Sequence, residues 1–367
     1  MLLVLAPEES AHGYLISKKP MSPHDRFKNL SPESIYLDLH HQDELAALLY
    51  KNSWINPADK IVMIEKPGEG NMNFVARVKT NSTSIIVKQS RPWVEKYPQI
   101  SAPVRRIFVE AAFYNALTHD SFYNSFCPSI IGFDAKNFLL ALEDLGEGAD
   151  CTFIYKRDAS LEDAALFSLI DFVSRLHNTP LGNRQGFPGN TELKKLNYTH
   201  IFYYPYLEDN GFDLDTIQPG LQHIAMQYKN NGMLKERLKN LGDVYLQKGN
   251  TLIHGDYYPG SWLKTKSGIK IIDPEFSHLG SPEFDIGVMM AHLKMAQLEN
   301  KLKQVWGHYK MPAGFSVPLM LSFCGVEIMR RVIGLAQLPL HLRLQEKSEI
   351  LELAAQLIQN PKENLLF

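Results

Sequence analysis

Leu252-Ile253-His254-Gly255-Asp256-Tyr257-Tyr258-Pro259-Gly260-Ser261 and, a little later, Lys270-Ile271-Ile272-Asp273-Pro274-Glu275-Phe276 are the stretches on which the reading of this chain turns. In the first, a short apolar strand runs out into a loop that carries an isolated aspartate. In the second, a strand ends on two carboxylates that flank a proline. Asp273 follows Asp256 by 273 − 256 = 17 residues, room for a turn and one hairpin. Phe276 and Ile271-Ile272 imply a buried neighbourhood, where an unpartnered acid is costly, so a plain solvated acidic turn is the weaker reading.

This spacing suits phosphoryl transfer, which needs one carboxylate to orient the attacking hydroxyl and others to hold magnesium on the phosphates. Asp256 is the candidate for the first task, against the blander reading of a turn-capping aspartate. Asp273 and Glu275, one residue apart on extended backbone, can converge on a common ion. His254 reads as a packed, hydrogen-bonded holder of the loop. His177, in the helical stretch 161–177, is assigned no chemistry.

Working outward, 37–51 has the apolar spacing of a helix, with Leu45, Leu48 and Leu49 on one side. Strands are expected over 60–66, 73–78, 84–89 and 138–142, and a helix over 104–119. The turn Gly68-Glu69-Gly70-Asn71-Met72-Asn73 could lay backbone N–H groups over phosphate oxygens, although such a hairpin turn is usually only a turn. Lys88 sits in the apolar strand Ile85-Ile86-Val87-Lys88, and Glu110 lies 110 − 88 = 22 residues on, in the next helix. If buried, both need partners. After Gly148 the pattern is mainly helical, over 161–177, 220–247, 284–298, 317–336 and 346–358. Arg330-Arg331 lie on the fourth of these; neighbouring helix positions diverge by about 100°, so they need not share a face. The expectation is a small sheet lobe over 31–145 and a larger helical lobe over 146–367, after an extension at 1–30 that has no clear pattern.

Composition narrows the partners. The chain has 367 residues, with Lys+Arg 38 against Asp+Glu 40, so no basic field for nucleic acid is evident. Cys127, Cys151 and Cys324 are far apart and odd in number, which suits a reducing cytoplasm rather than a disulfide framework. No stretch reaches the ~18 apolar residues of a membrane span, and no GxxxxGK[ST] motif is present.

Taken in order, these pieces resemble the protein-kinase-like small-molecule phosphotransferases, the aminoglycoside and choline kinase superfamily, and within it the methylthioribose kinase branch. The resemblance rests on Gly68 to Phe74, Ile86-Val87-Lys88-Gln89, Leu142-Glu143-Asp144-Leu145, His254-Gly255-Asp256 through Ser261, Ile272 to Phe276, Phe284-Asp285-Ile286-Gly287 and Met329 to Ala336. It implies an α+β, two-lobed kinase-like fold, ATP and Mg2+ as cofactors, a small-molecule hydroxyl acceptor and, among the relatives, homodimers. Asp256 would be the catalytic base and Asp273 and Glu275 the metal-binding acids. Lys88 would bind phosphate with Glu110 its helix partner, Gly68, Gly70, Asn71 and Asn73 would line the nucleotide turn, and the backbone of Glu143, Asp144 and Leu145 would meet adenine. Arg330 and Arg331 would reach the sugar, with Tyr257 a further acceptor contact, and Asp285 would prop the base loop. Ser261 stands where most relatives carry an asparagine metal ligand, as it does in the methylthioribose kinases. The bulky Tyr257-Tyr258-Pro259 departs from the smaller residues expected beside the base. That departure leaves another sugar, an amino alcohol or an antibiotic as rival acceptors, and a nucleotide-binding protein without catalysis as a rival of another class.

Overall fold

The structure, a computed structural model, describes residues 21–367 apart from 69, 71, 181 and 183–185. Asn71, one of the nucleotide candidates, lies outside the described residues. The chain divides into two compact units: one runs to Ala111 and takes in Pro128–Asp144, the other comprises Ala112–Cys127 and Leu145–Phe367.

The first unit is built on an antiparallel sheet of five strands in the order Ile61–Glu65, Phe74–Thr80, Ser84–Gln89, Leu139–Glu143, Ile130–Asp134. Period-two alternation sends Phe74, Ala76, Val78, Ile85 and Val87 inward, where they pack with Leu45, Leu48 and Leu49 of the helix Gln42–Lys51. That helix begins later than its apolar spacing predicts. The Asp38 carboxylate accepts the His40 and His41 backbone N–H groups, each at 2.8 Å, a local turn that competes with helix over 37–41. Leu37 is nonetheless buried in the same core.

The edge strand Ile130–Asp134 has no counterpart in the sequence reading, because its apolar Ile131 and Phe133 face outward and mask the alternation. Gly132 lets Trp54 pack flat on this strand, since a Cβ there would stand 1.9 Å from the indole nitrogen. The extension assigned to 1–30 also needs correction for its described part. Pro23–Leu30 is a helix, capped by the Ser22 hydroxyl accepting the Asp25 N–H at 3.1 Å, and it buries Phe27 against Tyr36 and Trp93.

The second unit is mainly helical. Asp163–Asn178, Gly232–Leu246, Pro282–Met295, Val317–Ile333 and Leu344–Gln359 surround two short ribbons. In one, Thr251–Ile253 pairs antiparallel with His278–Gly280. In the other, Trp262–Thr265 lies between Gly268–Ile271 and Gly148–Asp150. Segment 112–127 belongs here, contrary to the expected single boundary: the Ile271 N–H donates to the Phe126 carbonyl at 2.8 Å and Lys270 Nζ to the Ser125 carbonyl at 2.7 Å. The expected helix over 220–247 is two, Leu221–Lys229 and Gly232–Leu246. The break falls where the Asn231 side chain accepts the Leu234 N–H and starts a new helix. The helix expected to reach 336 stops at Ile333, before Gly334. All three cysteines are buried thiols. Among the described residues no helix is long and apolar enough to cross a membrane.

Candidate active site

In the first unit Lys88 points into the protein, 6% exposed, and its Nζ lies 2.5 Å from Oε1 of the fully buried Glu110. The strand Ser84–Gln89 presents the lysine, and the helix Arg106–Leu117 supplies the glutamate. One helical turn before Glu110, Arg106 is completely buried. Its guanidinium donates to the Met72 carbonyl at 2.7 Å, to Asn73 Oδ1 at 2.9 Å and to the Arg91 carbonyl at 2.8 Å. One helix thus anchors both the lysine and the base of the glycine-containing turn. The sequence reading passed over Arg106; a lone arginine at a helix start has no distinctive signal.

The Asn73 carboxamide faces inward, on Arg106 and on the Ser90 hydroxyl at 2.9 Å, and is 5% exposed. Its side-chain oxygen is therefore a structural tie, and the backbone contact expected of the turn does not depend on it. Gly70 has a steric reason: a Cβ would approach the Asn73 carbonyl to 2.8 Å, whereas one at Gly68 meets nothing within 4 Å. At the far end of the sheet Asp144 is held by Arg77 Nε at 2.8 Å and by the Ser84 hydroxyl at 2.6 Å. The Glu143 carboxylate accepts the Ser129 N–H at 3.1 Å. Leu145, half-buried, opens the second unit.

In the second unit the loop after Thr251–Ile253 is braced from below. Asp285, on the helix Pro282–Met295, accepts the His254 N–H at 2.7 Å and the Gly255 N–H at 2.9 Å, while His177 Nε2 lies 3.1 Å from the same carboxylate. Burial alone would raise the Asp285 carboxyl, but these donors outweigh it and hold it below its usual value. His177, assigned no chemistry from sequence, is thus part of the brace. Gly255 sits at φ +81°, and a Cβ there would strike the Phe276 carbonyl at 2.3 Å. The two acidic loops are packed backbone against backbone.

His254 joins them. Its Nε2 lies 3.1 Å from the Ile272 carbonyl, and its Nδ1 is 3.3 Å from the Asp256 N–H. Burial depresses its pKa, and a neutral ring protonated on Nε2 satisfies both contacts. The residue before Asp273 and the backbone of Asp256 are therefore tied to one imidazole. Asp273 adopts the left-handed conformation, φ +61°, which turns the chain sharply into Pro274–Phe276. Glu275 is 5% exposed, and its carbonyl accepts the Asn190 carboxamide at 2.9 Å. The Ser261 hydroxyl donates to the Asp256 carbonyl at 2.8 Å, so its proton is committed to holding the loop. No group of three or more His, Cys, Asp or Glu side chains among the described residues is arranged to hold a metal. Two carboxylates do fit magnesium, which keeps water and phosphate oxygens in the rest of its shell.

Arg330 and Arg331 meet at a residue the sequence reading missed. On the helix Val317–Ile333 they follow Glu327 by three and four positions, about 300° and 400° round the axis, and so flank it from both sides. Arg330 Nη1 lies 3.0 Å from Glu327 Oε2 and Arg331 Nε 2.6 Å from Oε1. Burial would raise the Glu327 carboxyl, but the two guanidiniums hold it well below its ordinary range. Arg331 Nη2 is 3.6 Å from Asp256 Oδ1. Asp256 itself is raised by burial, against the pull of Arg331 and Arg330.

Tyr257 is misassigned as an acceptor contact. It is fully buried, its hydroxyl donates to the Leu169 carbonyl at 2.8 Å, and its ring stacks on Phe172. The neighbouring Tyr258 lies instead beside the arginine pair, with the Arg331 guanidinium 4.7 Å above its ring. Elsewhere in this unit, a cavity of about 300 Å3 lined by Phe187, Thr191, Lys194, Lys195, Lys248 and Leu279 contains none of these residues.

A family model described as the phosphotransferase enzyme family matches residues 67–317, more than half of the chain. The chain belongs to that family. Like the family, it is a kinase-like small-molecule phosphotransferase. It is 24% identical to a methylthioribose kinase of Bacillus cereus (strain G9842), over 86% of this chain and 92% of that one. It is 24% identical also to a methylthioribose kinase of Bacillus thuringiensis (strain Al Hakam), over 83% and 88%. In fold it is similar to choline kinase LicA from Streptococcus pneumoniae, with TM-score 0.51 at 13% identity over 87% of this chain and 99% of that one. Spectinomycin phosphotransferase APH(9)-Ia, solved with ADP and spectinomycin, gives TM-score 0.50 at 13% identity over 87% and 98%. The two-lobed α+β kinase-like fold expected from sequence is the fold of this phosphotransferase.

Proposed function

We propose that this phosphotransferase moves the γ-phosphoryl group of ATP to a hydroxyl of a neutral sugar, with 5-methylthioribose the favoured acceptor. The charge around Asp256 carries the reading. Two arginines and two carboxylates, Arg330, Arg331, Glu327 and Asp256, lie together and balance. A quaternary ammonium such as choline calls for an aromatic cage or excess negative charge, and a polycationic aminoglycoside for more carboxylates still. A balanced, donor-rich wall suits a polyol. The full-length likeness to methylthioribose kinases supports the same choice.

In this reading Asp256 takes the hydroxyl proton, and its raised pKa makes it the better acceptor. Arg331 fixes the acceptor beside it, and Arg330 supplies a second fork of donors. Lys88, steadied by Glu110, holds nucleotide phosphate, with the backbone N–H groups of Gly68 and Gly70 available to the same oxygens. Asp273 and Glu275 would hold magnesium, which supplies charge neutralisation on the phosphates when bound. Positioning is most of the catalysis.

The test is an ADP-coupled assay over methylthioribose, ribose, choline and spectinomycin. The highest kcat/KM is expected for methylthioribose; a higher value for a cationic acceptor refutes the acceptor assignment. Asp256→Asn should keep Mg-ATP binding and lose nearly all turnover, and near-normal phosphorylation by that variant refutes the base. Mg-ATP binding without turnover of any acceptor would favour the non-catalytic rival.

A further inference from the structure

An unbroken line of buried polar groups ends on the arginine pair. The Tyr155 hydroxyl lies 2.6 Å from His292 Nδ1, His292 Nε2 lies 3.1 Å from Glu327 Oε1, and Glu327 receives Arg331 at 2.6 Å and Arg330 at 3.0 Å. Three separate elements supply these residues: the turn Cys151–Tyr155, the helix Pro282–Met295 and the helix Val317–Ile333. Tyr155, His292 and Glu327 are 3%, 0% and 1% exposed, so none of them faces solvent.

Their protonation states follow from one another. Burial pushes His292 down to about 4, so the ring is neutral and carries one N–H. Glu327 is a carboxylate and only accepts. The proton therefore sits on Nε2, and Nδ1 accepts from Tyr155, whose hydroxyl burial keeps protonated. The Tyr155 hydroxyl thus donates to His292 and the His292 ring donates to Glu327, so donor meets acceptor at both links. Its far end is restrained on a second side, because the Tyr258 ring lies under the Arg331 guanidinium and 5.2 Å from the His292 ring. Gly260 makes room for that ring; a Cβ there would stand 2.3 Å from it.

As a device for stability this is poor, since a buried ion cluster is often no better than apolar side chains of the same volume. It does fix the direction of a guanidinium. We propose that Tyr155, His292 and Glu327 are positioning residues that orient Arg331 and Arg330 toward the acceptor, although they touch neither reactant. The inference rests on the acceptor-binding reading of the arginine pair given above.

Tyr155→Phe tests it with one oxygen removed and the ring kept. The KM for the acceptor should rise about threefold to tenfold, with the KM for ATP changed by less than about twofold. In an Arg331→Lys background the same substitution should change acceptor KM by less than about twofold, because Arg331, the guanidinium on the same Glu327 oxygen as His292, is gone. Glu327→Gln should act in the same direction and more strongly; if it fails to fold, Tyr155→Phe and the double variant decide. An unchanged acceptor KM in folded Tyr155→Phe overturns the proposal, as do effects that multiply in the double variant or a parallel rise in the KM for ATP. A wild-type protein that turns over no acceptor overturns the parent reading and this one with it. Wild-type turnover that is indifferent to Tyr155 overturns this one alone.

Discussion

Replacing Asp285 by asparagine probes the brace under the Asp256 loop. The carboxylate receives two backbone N–H groups at 2.7 and 2.9 Å and the His177 ring at 3.1 Å, all out of contact with water. Asparagine keeps one oxygen and sets an NH2 group where the other stood. However the amide turns, at least one buried N–H then faces another donor. Hydrogen bonds to a charged acceptor contribute about 1.5–3 kcal/mol each, and an unsatisfied buried donor costs about 1–3 kcal/mol. Losing one and weakening another gives a destabilisation of about 3–5 kcal/mol, in the range for breaking a buried charged network. For a unit of this size that is a fall in Tm of roughly 6–20 °C. Urea titration followed by circular dichroism reads it directly. The loop that presents Asp256 should shift with its brace, so kcat should fall even at temperatures where the variant is fully folded. A variant within about 1 kcal/mol of the parent, with parental kcat, would refute this account of the brace.

Arg106→Leu removes the guanidinium that ties Met72 and Asn73 to the helix of Glu110. It should raise the KM for ATP about tenfold and leave the KM for the acceptor unchanged; equal changes in both would count against it. His278 and His292 are buried and pushed from 6.5 to about 4. The unfolded chain takes up their protons below pH 6.5 and the folded chain only near pH 4. Stability fully present above 6.5 is therefore lost as pH falls toward 4, by about 3 kcal/mol for each. Urea midpoints that stay level between pH 7 and 4.5 would contradict this. Tyr258→Ala should raise acceptor KM several-fold, roughly as loss of a cation–π platform does. Tyr257→Phe should cost about 1 kcal/mol of stability with kinetics unchanged, and the reverse pattern would restore the original assignment of Tyr257.

What was legible in the chain is what local physics writes there. Short apolar runs bounded by turn residues announced four of the five strands of the sheet, and strand ends announced the loops of Asp256 and Asp273. Lys88 and Glu110 could be paired on paper because each, if buried, demanded a partner of opposite charge, and they lie 2.5 Å apart. Other features were misread where a local signal competed with spacing. Asp38 bonds its own backbone and delays a helix, and Asn231 starts a helix in the middle of an apolar pattern.

The remainder depended on three dimensions. Tyr257 and Tyr258 are the same residue side by side, yet one ends on the Leu169 carbonyl and the other beneath Arg331. Nothing in their order says which turns inward. The Asn73 side chain is tied inward by Arg106, 106 − 73 = 33 residues away, which takes its oxygen. Glu327, His292 and Tyr155 carry no motif; they are ordinary residues far apart in sequence that helix packing brings into one line of hydrogen bonds. Sequence by itself determined which backbone segments would form and which acids would stand at strand ends, because those follow from alternation and turn chemistry. Only the tertiary structure decided which way each side chain faces and which partner satisfies it, because a buried polar group is settled by whatever packs against it, not by its neighbours along the chain.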